Sequence, residues 1–135
     1  MFAPSVTTQA ELERAWHELM GPWSFSRPSV WMMLIVHDRP LPQLTEIVEI
    51  GDPPDSELLD GLADLLAMLE REAAPGARVA FLRARPGRGA ITETDRAWAS
   101  ALYAAARRAG VPCEVVHLAT RGEIRPIPAD VIGIR

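Results

Sequence analysis

Three arginines and one acid near the middle of the chain are the residues best suited to chemistry. Arg83, Arg85 and Arg88 stand shortly before Asp95. Alternate residues of a strand share a face, so Arg83 and Arg85 are predicted to point the same way. The start of a helix follows them, and its free N–H groups and positive dipole end suit an anion. The pattern predicts either a pocket for a phosphate or carboxylate, or an ion-pair cluster with Asp95 that needs no ligand.

Asp95 also has a structural interpretation. Its spacing from Thr92 matches a capping box, in which the first residue caps the helix and the acid three positions later binds back to it. An acid in the first turn is also stabilised by the helix dipole. We therefore expect the main role of Asp95 to be capping the helix, in preference to binding a ligand.

The histidines and the single cysteine do not form a catalytic pattern. On a strand, Cys113 and His117 would lie about 13 Å apart, which is beyond hydrogen-bond reach. Cys113 is therefore predicted to be a small buried hydrophobe. His17 and His37 stand in other predicted elements, and no two histidines form a His-x-His pair.

The elements that must position these residues are predicted from apolar spacing and from Gly and Pro breaks. A capping box at Thr8 and Glu11 begins a helix that ends at Gly21. Residues 30–36 contain no polar side chain, as expected of a strand covered on both faces. The later predicted strands span residues 44–50, 78–82, 113–118 and 123–127, and the later predicted helices span residues 56–74 and 92–110.

This order of elements, α-β-β-α-β-α-β-β, predicts the fold class. It indicates a single α/β domain over residues 1–135, with a mixed sheet flanked by helices. The first helix lies within residues 1–22, and the core lies within residues 30–127. Trp98 and Leu102 are expected to be buried between the third helix and the sheet.

Composition sets the broad class. The chain has 135 residues, of which 48% are hydrophobic and 24% are charged, as in ordinary globular domains. A net charge of −4 gives no reason to expect a nucleic-acid partner or an acidic membrane. One cysteine excludes an internal disulfide, and residues 1–8 lack the basic start and apolar core of a signal peptide. We expect a cytoplasmic protein without a membrane partner.

The stretch from Arg78 to Val116 resembles the RadC-type members of the JAB/MPN (JAMM) family. In that family an apolar strand ends in His-Asn-His-Pro-Ser-Gly, a helix opens with Pro-Ser-x-x-Asp, and the next strand ends in Asp-His. Here Arg83-Ala84-Arg85-Pro86 stands in place of His-x-His-Pro, and Asp95 stands in place of the third metal ligand. His117 stands in place of the histidine of Asp-His. The shared pattern covers roughly half of the chain, without its two ligand histidines.

The resemblance implies both a fold and a loss of activity. The fold would be the JAB/MPN core, a three-layer arrangement like that of cytidine deaminases. A JAMM peptidase needs two imidazoles and a carboxylate on one zinc ion, with a glutamate as base. Arginine cannot replace a histidine ligand, because its guanidinium stays protonated and has no lone pair to offer. We therefore expect no metal, no cofactor and no metallopeptidase activity.

The function implied is that of a binding or scaffolding module for a partner protein or a small anionic ligand. The ligand-binding candidates are Arg83, Arg85, Arg88, Asp95 and His117. Pairing among JAB/MPN relatives, together with the unbroken apolar run at residues 30–36 and the aromatic residues at 23–25, suggests a homodimer. The alternative is an enzyme with a site rebuilt around two of these arginines and Asp95, which acts on an anionic substrate.

Overall fold

The computed structural model describes residues 6–20, 28–47, 56–87 and 90–129. The predicted order of helices and strands is confirmed over these ranges. A π-helical turn, Leu69–Ala73, continues the second helix. The elements are α1 (Gln9–Met20), β1 (Ser29–Val36), β2 (Arg39–Ile47), α2 (Ser56–Met68), β3 (Arg78–Ala84), α3 (Glu93–Ala109), β4 (Val116–Thr120) and β5 (Glu123–Ile127).

The five strands form one mixed sheet in the order β2-β1-β3-β4-β5. β1 is antiparallel to both of its neighbours, β2 and β3. β3 and β4 are parallel, an arrangement that the long connection through α3 permits, and β4 and β5 form an antiparallel hairpin. The parallel pair brings the carboxyl ends of β3 and β4 to the same edge of the sheet as the start of α3.

The first hairpin differs from the prediction. The second strand was expected at residues 44–50 after a proline-rich turn, but it spans Arg39–Ile47 and Pro40 pairs with β1. The turn is shorter than expected because His37 and Asp38 both take positive φ angles, of 53° and 63°. Such angles are those of the tight two-residue turns that suit hairpins. Proline is tolerated here because β2 is an edge strand.

The fourth strand also begins later than predicted. Cys113, expected to start it, makes only an isolated bridge to Val79, and the strand itself spans Val116–Thr120. The intervening backbone is held by the amide of Glu114, which donates to the Val79 carbonyl at 2.8 Å. The hairpin then turns at Gly122, whose φ of 77° suits glycine.

Helices cover the two faces of the sheet, which makes three layers. On one face, α2 and α3 bury a cluster that includes Leu62, Leu66, Trp98, Leu102, Val30, Phe81 and Leu118. On the other face, α1 buries Leu12, Ala15 and Trp16 against Met33, Ile35, Leu82 and Ala119. The expected burial of Trp98 and Leu102 is confirmed, since they are 1% and 0% exposed.

Covering both faces explains the apolar β1, whose buried side chains alternate between the two clusters. A second subunit is therefore not needed to cover that strand. Trp23 and Phe25, the aromatic residues suggested for a dimer surface, lie outside the described residues. Within the described ranges, no helix combines the length and apolar character needed to cross a membrane.

Candidate functional site

The candidate site is built at the start of α3, where the predicted capping box is confirmed. Thr92 is the N-cap residue, with the extended φ and ψ of −92° and 170°. Its hydroxyl accepts from the Asp95 amide at 3.1 Å, and its own amide donates to Asp95 Oδ2 at 2.9 Å. These two bonds satisfy donors that a helix start leaves unpaired. They also fix the Asp95 carboxylate beside the end of β3.

Arg83 and Arg85 both bind this carboxylate. Arg83 Nε donates to Asp95 Oδ1 at 2.8 Å. Arg85 binds in a fork, with Nε 2.9 Å from Oδ1 and Nη2 2.9 Å from Oδ2. The prediction that both arginines point to one face is confirmed, because both reach the same side chain on α3. Of the two predicted arrangements, the structure contains the ion-pair cluster, called here the Arg–Asp cluster (Arg83, Arg85 and Asp95).

The Arg–Asp cluster is almost closed to solvent. The exposed fractions of the side chains are 0% for Asp95, 4% for Arg83 and 14% for Arg85. The Arg83 guanidinium carbon lies 5.8 Å from the centre of the Trp98 ring, within the range of a cation–π contact. This ring closes the cluster from the core side.

Two described residues that follow β3, Gly87 and Ala90, make contacts on the outer side of the cluster. Arg85 Nη2 donates to the Ala90 carbonyl at 3.2 Å. Gly87 takes a φ of 91°, and its carbonyl accepts from the Arg121 amide at 3.1 Å, which ties the loop to the end of β4. Arg88, the third predicted ligand-binding arginine, lies outside the described residues.

The surroundings of Asp95 keep it ionised. Burial by itself would raise the pKa of Asp95, but the hydrogen bonds from Arg85, from Thr92 and from Arg83 outweigh it and lower the pKa to about 2. Both carboxylate oxygens already accept N–H donors. Asp95 is therefore a poor general acid at neutral pH and has little capacity left to act as a base or a ligand.

The residues of the Arg–Asp cluster do not fit the zinc ion that the family resemblance brings to this position. Two of the three side chains are guanidinium cations without a lone pair, and they occupy the oxygens of the third. No group of three His, Cys, Asp or Glu side chains within the described ranges is arranged to hold a metal ion.

His117 does not join the cluster. It is fully buried on β4, where its Nε2 lies 2.9 Å from Glu13 Oε2 on α1 and its Nδ1 lies 3.0 Å from the Val115 carbonyl. Its strand partner in register is Leu82, which packs under α1, whereas Arg83 faces α3. The structure therefore does not bring His117 together with Arg83, because successive residues along a strand point to opposite faces of the sheet. A role for His117 in ligand binding stays a prediction.

Burial lowers the pKa of His117, and the contacts with Glu13 and with the Val115 carbonyl offset only part of that effect. Glu13 stands 104 positions away in the sequence and was not predicted as a partner. No local pattern points to it, because the contact depends on how α1 packs on the sheet.

Cys113 was predicted to be a small buried hydrophobe, and the structure places it as only partly buried. Its Sγ lies 3.3 Å from the Glu114 carbonyl oxygen. Burial raises the pKa of the Cys113 thiol to about 12, so the reactive thiolate is scarce at neutral pH.

No family model, no curated protein and no solved structure matches this chain. The similarity to RadC-type JAB/MPN domains thus depends on the chain's own residues and stays a prediction. What can be concluded about function depends on the fold and on the contacts of the Arg–Asp cluster.

Proposed function

We propose that this chain is a metal-free, non-catalytic JAB/MPN-like module that binds a partner protein. In this proposal the guanidinium groups of Arg83 and Arg85 take the structural place of a metal ion. The observation that carries the proposal is the fully buried Asp95 carboxylate, which both arginines bind at 2.8 and 2.9 Å.

The position of these contacts supports the comparison with a metal site. The family resemblance implies a cation that joins two ligands at the end of one strand to an acid at the start of the next helix. Here the end of β3 is joined to the start of α3 by two cations, Arg83 within the strand and Arg85 directly after it. Bonds between guanidinium and carboxylate are among the stronger hydrogen bonds in proteins, so the cluster can hold the two elements without a metal.

The same contacts make catalysis and small-anion binding weaker explanations. An anionic substrate or ligand would have to draw Arg85 away from Asp95 and from the Ala90 carbonyl. That exchange would leave a buried carboxylate with fewer partners, which is costly. The alternative of an enzyme rebuilt around the Arg–Asp cluster therefore receives less support than a binding role.

A gain-of-metal experiment tests the proposal. The double variant Arg83→His/Arg85→His would restore a His-x-His pair opposite Asp95. We expect it to bind about one zinc ion per chain, as a three-ligand protein site does. The wild-type protein, exposed to zinc and then dialysed, should retain none. Elemental analysis by mass spectrometry gives the ratio of metal to protein, and circular dichroism confirms that each variant is folded.

Two controls make the result specific. Arg107→His/Arg108→His adds two histidines at the other end of α3, where they should not capture zinc. Adding Asp95→Asn to the first double variant should abolish capture. Stoichiometric zinc in the wild-type protein, lost on Asp95→Asn, would contradict the metal-free proposal. A folded Arg83→His/Arg85→His variant that binds no zinc would contradict the proposed replacement of a metal site.

A further inference from the structure

One face of α2 carries an apolar depression with a volume of about 370 Å³, called here the α2 groove. Its described lining residues, all on α2, are Glu57, Leu58, Gly61, Leu62 and Leu65. A volume of this size lies within the range of sites that hold apolar side chains or small ligands.

The α2 groove is open at Gly61, which has no side chain to fill it. A Cβ atom built at Gly61 would meet nothing within 4 Å among the residues described. Two turns further along the helix, Met68 is 38% exposed and is the large apolar side chain most open to solvent among the residues described. The spacing of Leu58, Gly61, Leu65 and Met68 makes a stripe along α2 that suits contact with a second helix.

The side of the stripe away from the core is acidic. Glu57, Asp60 and Asp64 are all exposed there, and Arg108 from α3 forms an ion pair with Asp60. The whole chain has a net charge of −4. An apolar stripe with an acidic border is complementary to a partner that combines apolar anchors with basic residues. Acidic membranes and nucleic acids would be repelled by the same border.

We propose that the α2 groove binds an amphipathic helix of another protein, with apolar anchors at i, i+3 or i+4, and i+7 and with Lys or Arg beside them. This inference rests on the proposed binding function and names the surface and the class of partner. The mode is that of a helix lying in an apolar groove, in which the anchors provide affinity and the charged border sets orientation and partner choice.

Two synthetic peptides and two glycine variants test this inference. The probes are amphipathic helices of about 14 residues with the same pattern of leucines, one carrying lysines and the other glutamates on its polar face. Fluorescence anisotropy of labelled peptide gives the Kd. We expect the lysine peptide to bind the wild-type protein at least about tenfold more tightly than the glutamate peptide, with an affinity that weakens as salt rises.

Gly61→Leu should fill the α2 groove and weaken binding of the lysine peptide at least about tenfold, whereas the matched control Gly61→Ala should change the Kd by less than about twofold. Both substitutions favour the helix, so loss of folding is not expected to mimic loss of binding. Asp64→Asn should weaken binding of the lysine peptide and reduce its salt dependence.

Several outcomes would overturn the inference. Equal binding of the two peptides would mean that binding is nonspecific. Unchanged binding of the lysine peptide by Gly61→Leu would mean that the peptide binds outside the α2 groove. Binding that requires removal of residues 130–135 would make the chain's own tail the occupant. Dimerisation of the free protein that Gly61→Leu abolishes would make a second copy the occupant. Zinc capture by the histidine variant is measured separately, so failure of the α2 groove and failure of the metal-site replacement are distinguishable.

Discussion

Two buried ionisable groups lie on opposite faces of the same sheet, and they are stabilised to different degrees. Asp95 receives hydrogen bonds from two arginines and from the backbone of its own helix start. His117 contacts one carboxylate and one carbonyl, and the side chain of that carboxylate, Glu13, is 28% exposed. Both contacts join a helix to the sheet, α3 in the first case and α1 in the second.

The difference appears in how each group responds to burial. Hydrogen bonds outweigh the burial of Asp95 and lower its pKa, so the charged form is the stable one. Burial outweighs the contacts of His117 and lowers its pKa, so the neutral form is favoured. The lesson is that a buried charge is retained when the folded chain supplies enough donors or acceptors to replace water, and is disfavoured when it does not.

The largest expected effect is the loss of the Asp95 charge. Asp95→Asn keeps the size of the side chain but leaves Arg83 and Arg85 without their shared carboxylate. We expect unfolding free energy to fall by about 3–5 kcal/mol, as for other buried ion pairs with one partner removed. Urea denaturation at neutral pH measures it. Glu93→Gln, an exposed acid in the same helical turn, is the control and should cost less than about 1 kcal/mol.

Measuring the free energy of unfolding in acid gives a second test, because the folded pKa of Asp95 lies below its ordinary value of 3.8. Stability from the ionised carboxylate is complete above the ordinary value and is lost as pH falls through about 2. Asp95→Asn should lack this acid-dependent loss. Equal stability of wild type and variant at neutral pH would contradict a cluster that holds α3 to β3.

A smaller effect is expected from Arg85→Ala, because Arg83 and the Thr92 amide still bind Asp95. The expected loss is about 2 kcal/mol, the range for a hydrogen bond to a charged group. Arg71→Ala is the control, since the Arg71–Glu72 pair is 66% and 61% exposed and should contribute at most about 1 kcal/mol. Calorimetric titration with phosphate should show no binding to wild type or Arg85→Ala. Phosphate binding by wild type that Arg85→Ala abolishes would instead identify an anion site.

The smallest effect on stability is expected at His117. Here the neutral form is the one favoured in the folded protein, whereas for Asp95 it is the charged form. Because burial lowers the folded pKa below the ordinary value of 6.5, the unfolded chain binds more protons in mild acid. Stability is therefore complete above the ordinary value and falls as pH drops through the folded pKa. Denaturation midpoints of wild type and His117→Gln, compared between about pH 8 and pH 5, should converge on the acid side. A wild-type protein that becomes more stable in mild acid would show that Glu13 outweighs burial.

The parts of this site that sequence could predict are those that depend on local geometry. Alternation along the extended backbone is enough to place Arg83, in β3, and Arg85, directly after it, on one face. The capping box is enough to orient Asp95. One loop separates these residues, so a cluster was a natural alternative to a pocket. The Glu13–His117 contact depends instead on the packing of α1 against β4, and nothing in either local segment indicates it.

The fold also has features that local sequence predicts and features that depend on the packing of distant segments. Apolar runs predicted the order of helices and strands, while the boundaries of β2 and β4 were wrong. Prolines in residues 38–42 indicated a turn, because sequence alone does not tell whether a strand will lie at the edge of its sheet. His37 and Asp38 have the positive φ angles of a tight turn, which their residue types permit without requiring.

The placement of prolines on the outer strands has a consequence for assembly. Pro40 and Pro42 lie in β2 and Pro126 lies in β5, and these strands form the two ends of the sheet. Proline has no N–H, so each end presents an interrupted row of donors to any approaching strand. A neighbouring strand added in register would leave hydrogen bonds unmade at these prolines. Growth by strand addition is therefore disfavoured at both ends of the sheet that the described residues form.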